Sequence, residues 1–171
     1  MAGYGLPKEQ HLSVVLQNSL ELEVHNIKII NGSVSGSTSA GGLNIADWTL
    51  SGNNIDLMIL CLGANDMLRG IQPNETEKNL EKIIKIARSK KIEIILAGML
   101  APTSYGTEYK KKFDQIYLKL SKRYDLKLIP FLLEGVAFNP SLNLSDGMHP
   151  NRQGTVEISE TLKKSILDYI N

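Results

Sequence analysis

A single cysteine, Cys61, is all that the 171 residues contain. That excludes an internal disulfide, a cysteine-rich zinc site and a two-cysteine redox motif. Cys61 lies in the apolar run LMILCLG and reads as a small buried hydrophobe rather than a reactive thiol. Charge of one sign is lacking as well: 19 Lys and Arg stand against 18 Asp and Glu, a net charge of +1. The basic footprint of a nucleic-acid-binding or membrane-surface domain is absent, and no nucleic-acid partner is expected. Long apolar runs are missing too. Stretches such as Leu57 to Leu62 fall far short of the roughly 18 residues that a spanning helix needs, so no transmembrane segment is expected. The opening residues, MAGYGLPKEQ, hold no basic stretch leading into an apolar one, so no secretory signal starts at Met1. Repeats, low-complexity tracts and Pro/Ser-rich linkers are also absent.

What is present is an ordinary globular composition, 42% hydrophobic and 22% charged, in a chain of 18.9 kDa, the size of one domain with a proper core. Short β-branched apolar runs alternate with segments of helical period, the signature of an α/β domain. Helices are expected over about Pro7 to Leu20, Leu43 to Leu50, Asn74 to Ser89, Lys110 to Tyr124 and Arg152 to Tyr169. Strands are expected at Ile27 to Asn31, Ile55 to Leu62, Glu93 to Gly98 and Lys127 to Pro130. The segments GANDMLRGIQPNET and MLAPTSYGTEY read as long loops. Four strands separated by helices imply parallel pairing with right-handed crossovers, and ligands in such sheets bind outside the carboxyl ends of the strands.

Polar clusters gather in the loops that follow these strands. Asp146 and His149 form the sharpest pair: a carboxylate three residues before a histidine on a tight turn can accept from one ring nitrogen and leave the other free as a base. On its own, a DxxH spacing more often describes a turn aspartate beside a surface histidine. The other two histidines, His11 and His25, have no comparable carboxylate beside them. Asn65, just after Gly63 and a buried strand, is placed to donate its amide to a developing oxyanion, or simply to form a turn. Gly36, in the small-residue loop SVSGSTS, can offer a backbone N–H to the same anion. Asp66 reads as a carboxylate that braces its loop or caps a helix.

Taken together, GSVSGSTSAGG, LCLGANDMLRGIQPNET, LIPFLLEGVA and DGMHPNRQG resemble blocks two, three and five of the SGNH (GDSL) hydrolases. The resemblance covers nearly the whole chain and extends to YGTEYKKKFDQIYLKL. It points to the small bacterial esterases called arylesterases, or the thioesterase I, lysophospholipase L1 group. It implies a three-layer α/β/α flavodoxin-like fold and hydrolysis of acyl esters or thioesters without a metal or organic cofactor. It further implies that Gly36 and Asn65 are oxyanion donors, that His149 is general base and then acid, and that Asp146 orients it. Tyr105 and Gly106 fall in the loop that lies near the acyl group in relatives and are expected to select substrate. The expected partner is a small acyl ester or thioester, acted on by a monomer.

The family's first block, a strand followed by Gly-Asp-Ser with the nucleophilic serine, has no counterpart here. In relatives that block is followed closely by a stretch like AGYGLP, which matches Ala2 to Pro7. The favoured expectation is that the nucleophile, the first strand and any export signal lie upstream of Met1, and that the 171 residues alone are poorly soluble. The compartment would then be periplasmic or extracellular with such a signal and cytoplasmic without it. The alternatives are an inactive acyl-binding pseudoenzyme, a substitute nucleophile among Ser33, Ser35, Ser37 and Ser39, and, within the enzymes, a carbohydrate O-deacetylase.

Overall fold

The computed structural model describes residues 3–52 and 54–170. These residues group into two compact units: one drawn from the chain up to Ser35 and from Leu132 onward, the other spanning Gly36–Phe131.

The second unit holds a parallel sheet. Its strands are β1 (Leu57–Leu60), β2 (Glu93–Ala97) and β3 (Lys127–Ile129), in the order β1-β2-β3. Leu57 pairs with Glu93 and Ile95 with Lys127. Four helices accompany them: α2 (Ser39–Thr49), the short α3 (Ala64–Leu68), α4 (Pro73–Ser89) and α5 (Thr107–Tyr124). The central strand, β2, has Ile94 through Ala97 buried on both faces, as a strand between two parallel neighbours should. Helix α4 lays Leu80, Ile83, Ile84 and Ala87 into the core at helical spacing, and α5 adds Phe113, Ile116, Tyr117 and Leu120. Pro73 opens α4 at a position where its missing N–H costs nothing.

In the first unit α1 (Leu12–Glu21) packs on α6 (Arg152–Ile170), joining Leu12, Leu16 and Leu20 to Ile158, Leu162 and Ile166. A short 3₁₀ turn, Lys8–Gln10, precedes α1. Pro7 caps that turn and not the α-helix, so the helix expected from Pro7 starts five residues later.

Two expectations are corrected. Among the described residues the sheet has three strands, not four: the segment from Ile27 to Asn31 forms no ladder. It still shows strand alternation, with Ile27 and Ile29 half-buried and Lys28 and Ile30 exposed. Its backbone is held by a side chain: Gln17 donates its amide N–H to the Ile27 carbonyl at 2.9 Å and accepts from the Ile29 N–H at 2.5 Å. A strand needs a neighbour to form its ladder, and no described residue supplies one here. The stretch after Gly63, expected as loop, contains α3, a single turn too short to show a hydrophobic period.

Candidate active site

His149 lies on a turn between β3 and α6 in the chain. Asp146 shapes that turn with one carboxylate oxygen, accepting from the backbone N–H of Met148 at 2.9 Å and of His149 at 3.0 Å. The other oxygen is 2.7 Å from Nδ1 of the His149 ring. Hydrogen bonds from these donors, the two backbone N–H groups first, pull the Asp146 carboxyl down to about 2. The carboxylate is therefore ionised at neutral pH and holds the Nδ1 proton, which leaves Nε2 as the basic nitrogen.

Asparagine amides brace the turn in place of a ladder. Leu144 N–H donates to the His149 carbonyl at 2.7 Å, and Asn143 and Pro150 form an isolated antiparallel bridge. The buried Asn143 amide donates to the carbonyls of Val136 and Asn139, and that of Asn151 to Ser141 and Asn143. The Asn151 side-chain oxygen then accepts from the N–H groups of Gln153 and Gly154, capping α6. Tyr4 covers the imidazole, with ring centroids 4.4 Å apart and planes tilted by 34°.

Asn65 is the second residue of α3, just past the carboxyl end of β1. Gly63 makes that placement possible. Its φ is +116°, a conformation that side chains avoid, and Tyr117 donates its hydroxyl to the adjoining Leu62 carbonyl at 2.9 Å. Asp66, the next residue after Asn65, is fully buried and accepts from the N–H of Ser39 at 2.7 Å, from the Ser39 hydroxyl at 2.5 Å and from that of Thr76 at 3.2 Å. It is the bracing carboxylate that its position suggests.

Gly36 sits at φ +73° in an exposed turn three residues before Ser39, with the guanidinium of Arg69 nearby. Thr38 caps α2, its hydroxyl accepting from Gly41 N–H at 3.2 Å. Tyr105 ends a 3₁₀ turn that follows β2, and Gly106 precedes α5. From Tyr105 a row of rings runs through Tyr109 and Phe113 to Tyr117, with centroids 5.6 to 6.0 Å apart. Cys61 is partly exposed, and desolvation raises its thiol pKa, which disfavours the nucleophilic thiolate.

The structure thus brings His149 and Asp146 into direct contact, within the first unit. It places Gly36, Asn65, Tyr105 and Gly106 in the second, at the N-terminal side of α2 and past the carboxyl ends of β1 and β2. Of the supporting residues, Tyr4, Ser39, Thr76, Tyr117 and Asn151 lie within the strings that carry the family resemblance, without a role that the sequence assigns them, and Asn143 lies outside those strings. Tyr105, Tyr109, Phe113 and Tyr117 share a four-residue spacing.

The sequence profile of the GDSL-like Lipase/Acylhydrolase family matches residues 1–155. This chain belongs to that family. Among its relatives, an arylesterase of Vibrio mimicus is 32% identical over 169 residues, 99% of this chain and 84% of that protein. The Escherichia coli K12 protein named thioesterase 1/protease 1/lysophospholipase L1 is 35% identical over 143 residues, 84% of this chain and 69% of that one. The crystal structure of a psychrotrophic esterase, EstA from Pseudoalteromonas, inhibited by monoethylphosphonate, superposes with a TM-score of 0.93 at 30% identity, covering 99% of this chain and 93% of that one. The SGNH-type α/β fold expected from the motifs is the fold of these esterases. A GDSL-family chain of this kind sits among hydrolases of acyl esters, and no helix among its described residues is long and apolar enough to cross a membrane.

Proposed function

We propose that this chain is the body of a serine carboxylic-ester hydrolase acting on short to medium acyl esters, thioesters or lysophospholipids through an acyl-enzyme. The observation that carries the reading is the 2.7 Å contact between His149 Nδ1 and an Asp146 carboxylate held ionised by two backbone N–H groups. In this reading the serine Oγ attacks the substrate carbonyl carbon and its proton passes to His149 Nε2. The tetrahedral oxyanion is held by the Asn65 amide and the Gly36 N–H. On collapse the bond to the alkoxide or thiolate breaks, the leaving group takes the proton from His149, and water repeats the sequence to release the acid. Asp146 keeps the ring oriented throughout. Tyr105 and Gly106 border the acyl group and select among chains.

The nucleophile in this reading is the serine of the family's first block, a motif that residues 1–171 do not contain. The loop serines are poor substitutes. Ser39 is buried with its hydroxyl donated to Asp66, and Ser37 donates to the Thr38 carbonyl. Ser33 and Ser35 lie on an exposed loop that does not end a strand, so neither has the strained strand-end turn that presents a nucleophile.

The test is hydrolysis of 4-nitrophenyl esters from C2 to C12, an acyl thioester and an acetylated sugar by the protein carrying its first block. Ester turnover that His149→Ala abolishes supports the reading. Binding of a fatty acyl chain without turnover would replace it with an acyl-binding module, and preference for the acetylated sugar with an O-deacetylase.

A further inference from the structure

The reaction as written leaves one fully buried ionisable group unused. Asp66 has no exposed surface, and neither has Ser39 nor Thr76, two of the residues that bind it. A carboxylate in such a place is costly unless every lone pair is met, and an apolar side chain would brace a helix at lower cost. What the carboxylate adds is direction. One oxygen accepts the Ser39 N–H, while the other accepts the Ser39 and Thr76 hydroxyls. Asn79 completes the cluster, donating its amide to the Ser39 oxygen at 3.0 Å.

These partners fix three segments at once. Ser39 is the first residue of α2, three positions after Gly36. Asp66 itself is the neighbour of Asn65 on α3, which at five residues is too short to be stable alone. Thr76 and Asn79 lie in the first two turns of α4, the helix that leads from α3 to β2. An oxyanion donor works only at about 2.7 to 3.1 Å from the developing charge, so two donors on separate segments need a common anchor.

We propose that Asp66 is the positioning residue of the oxyanion site, holding the Asn65 amide and the Gly36 N–H in fixed register through Ser39. The inference rests on the oxyanion roles assigned to Asn65 and Gly36 under the proposed function. Asp66→Asn replaces one acceptor oxygen by an NH₂ group, so either the Ser39 N–H or the two hydroxyl protons lose their acceptor and the cluster must rearrange.

The test is a double-mutant cycle in the full-length enzyme, with kcat and KM measured on 4-nitrophenyl butyrate for wild type, Asp66→Asn, Asn65→Ala and the pair. Asp66→Asn is expected to lower kcat by about 30-fold with KM within about twofold, because transition-state and not ground-state contacts are lost. In the Asn65→Ala background the same change is expected to cost less than about fivefold, since one of the donors it positions is already gone. A kcat within twofold of wild type, a loss confined to KM, or a full 30-fold loss repeated in the Asn65→Ala background would overturn the inference. An inactive Asn65→Ala beside a fully active Asp66→Asn defeats the inference alone, whereas a fully active Asn65→Ala defeats the oxyanion reading and the inference with it. Should Asp66→Asn fail to fold, Ser39→Ala and Thr76→Val each remove one donor. A several-fold loss in kcat at constant KM from Ser39→Ala supports the inference, and wild-type kcat in both overturns it.

Discussion

A β-carbon on Gly63 would stand 2.2 Å from the hydroxyl oxygen of Tyr117. The two residues are joined by the Leu62 carbonyl, which accepts the Tyr117 hydroxyl and immediately precedes the glycine. Gly63→Ala therefore meets both a positive φ and a blocked space, and is expected to cost about 2 to 4 kcal/mol, a fall in Tm of roughly 5 to 15 °C for a chain of this size. Tyr117→Phe alone costs about 1 to 2 kcal/mol by leaving a carbonyl without its donor. In the Gly63→Ala background that same change removes the obstructing oxygen, so it should recover stability there. Thermal unfolding of the four proteins checks the reversal of sign, and simple additivity would count against it.

The pH dependence of the Asp146–His149 pair follows from the depressed carboxyl. Its folded value of about 2 lies below the ordinary 3.8, so whatever it adds to stability is complete above about 4 and is lost as pH falls toward 2. Asp146 accordingly stays ionised through pH 4 to 8 and contributes no acid limb to activity in that window. Carbon-detected NMR of the carboxyl should show a midpoint near 2; a midpoint near 4 would contradict the turn geometry. Asp146→Asn is expected to lower kcat by about 10² to 10⁴ through loss of the ring's preferred tautomer.

Tyr4 packs its ring against the imidazole of His149; under the proposed function that contact restrains the ring and stabilises the positive charge formed during proton transfer. Tyr4→Phe keeps that face and should leave kcat nearly unchanged. Tyr4→Ala should lower it by about three- to tenfold, the worth of roughly 1 kcal/mol. Equal kcat in both variants would remove Tyr4 from the site.

How much of this was legible beforehand differs by element. The continuous apolar runs around Ile59 and Ile95 marked β1 and β2, yet only β2 is buried throughout from Ile94 to Ala97; of β1 only Leu60 is buried, so the fully buried strand expected there is half-buried. Helices α4 and α5 followed from period alone. The start of α2 did not: the helix begins at Ser39 and not Leu43, since Thr38 caps a run of small residues without a hydrophobic period. The Ile27 to Asn31 segment has strand composition, yet pairing is a property of its surroundings. At the site, DxxH read directly as a turn with an oriented histidine. Asn143, Asn151 and Ser39 stayed hidden because their partners are backbone carbonyls or residues 27 to 40 positions away.

Strand β1 pairs on one side only among the described residues, and its sequence LMIL carries no charge or proline to discourage a second partner. The 171-residue chain is expected to self-associate as concentration rises. Light scattering after size exclusion checks this. A monodisperse 171-residue sample with a cooperative unfolding transition would contradict the expectation.

The Gln17 amide that grips Ile27 and Ile29 spans only 10 to 12 residues. Closing so short a loop is fast, and a contact of this kind lowers the average sequence separation that limits folding rates. Helix α1 thus carries the template for the extended segment that follows it, and that segment is expected to be laid straight early, before distant parts of the chain arrive. In a chevron analysis Gln17→Ala should slow refolding more than it speeds unfolding.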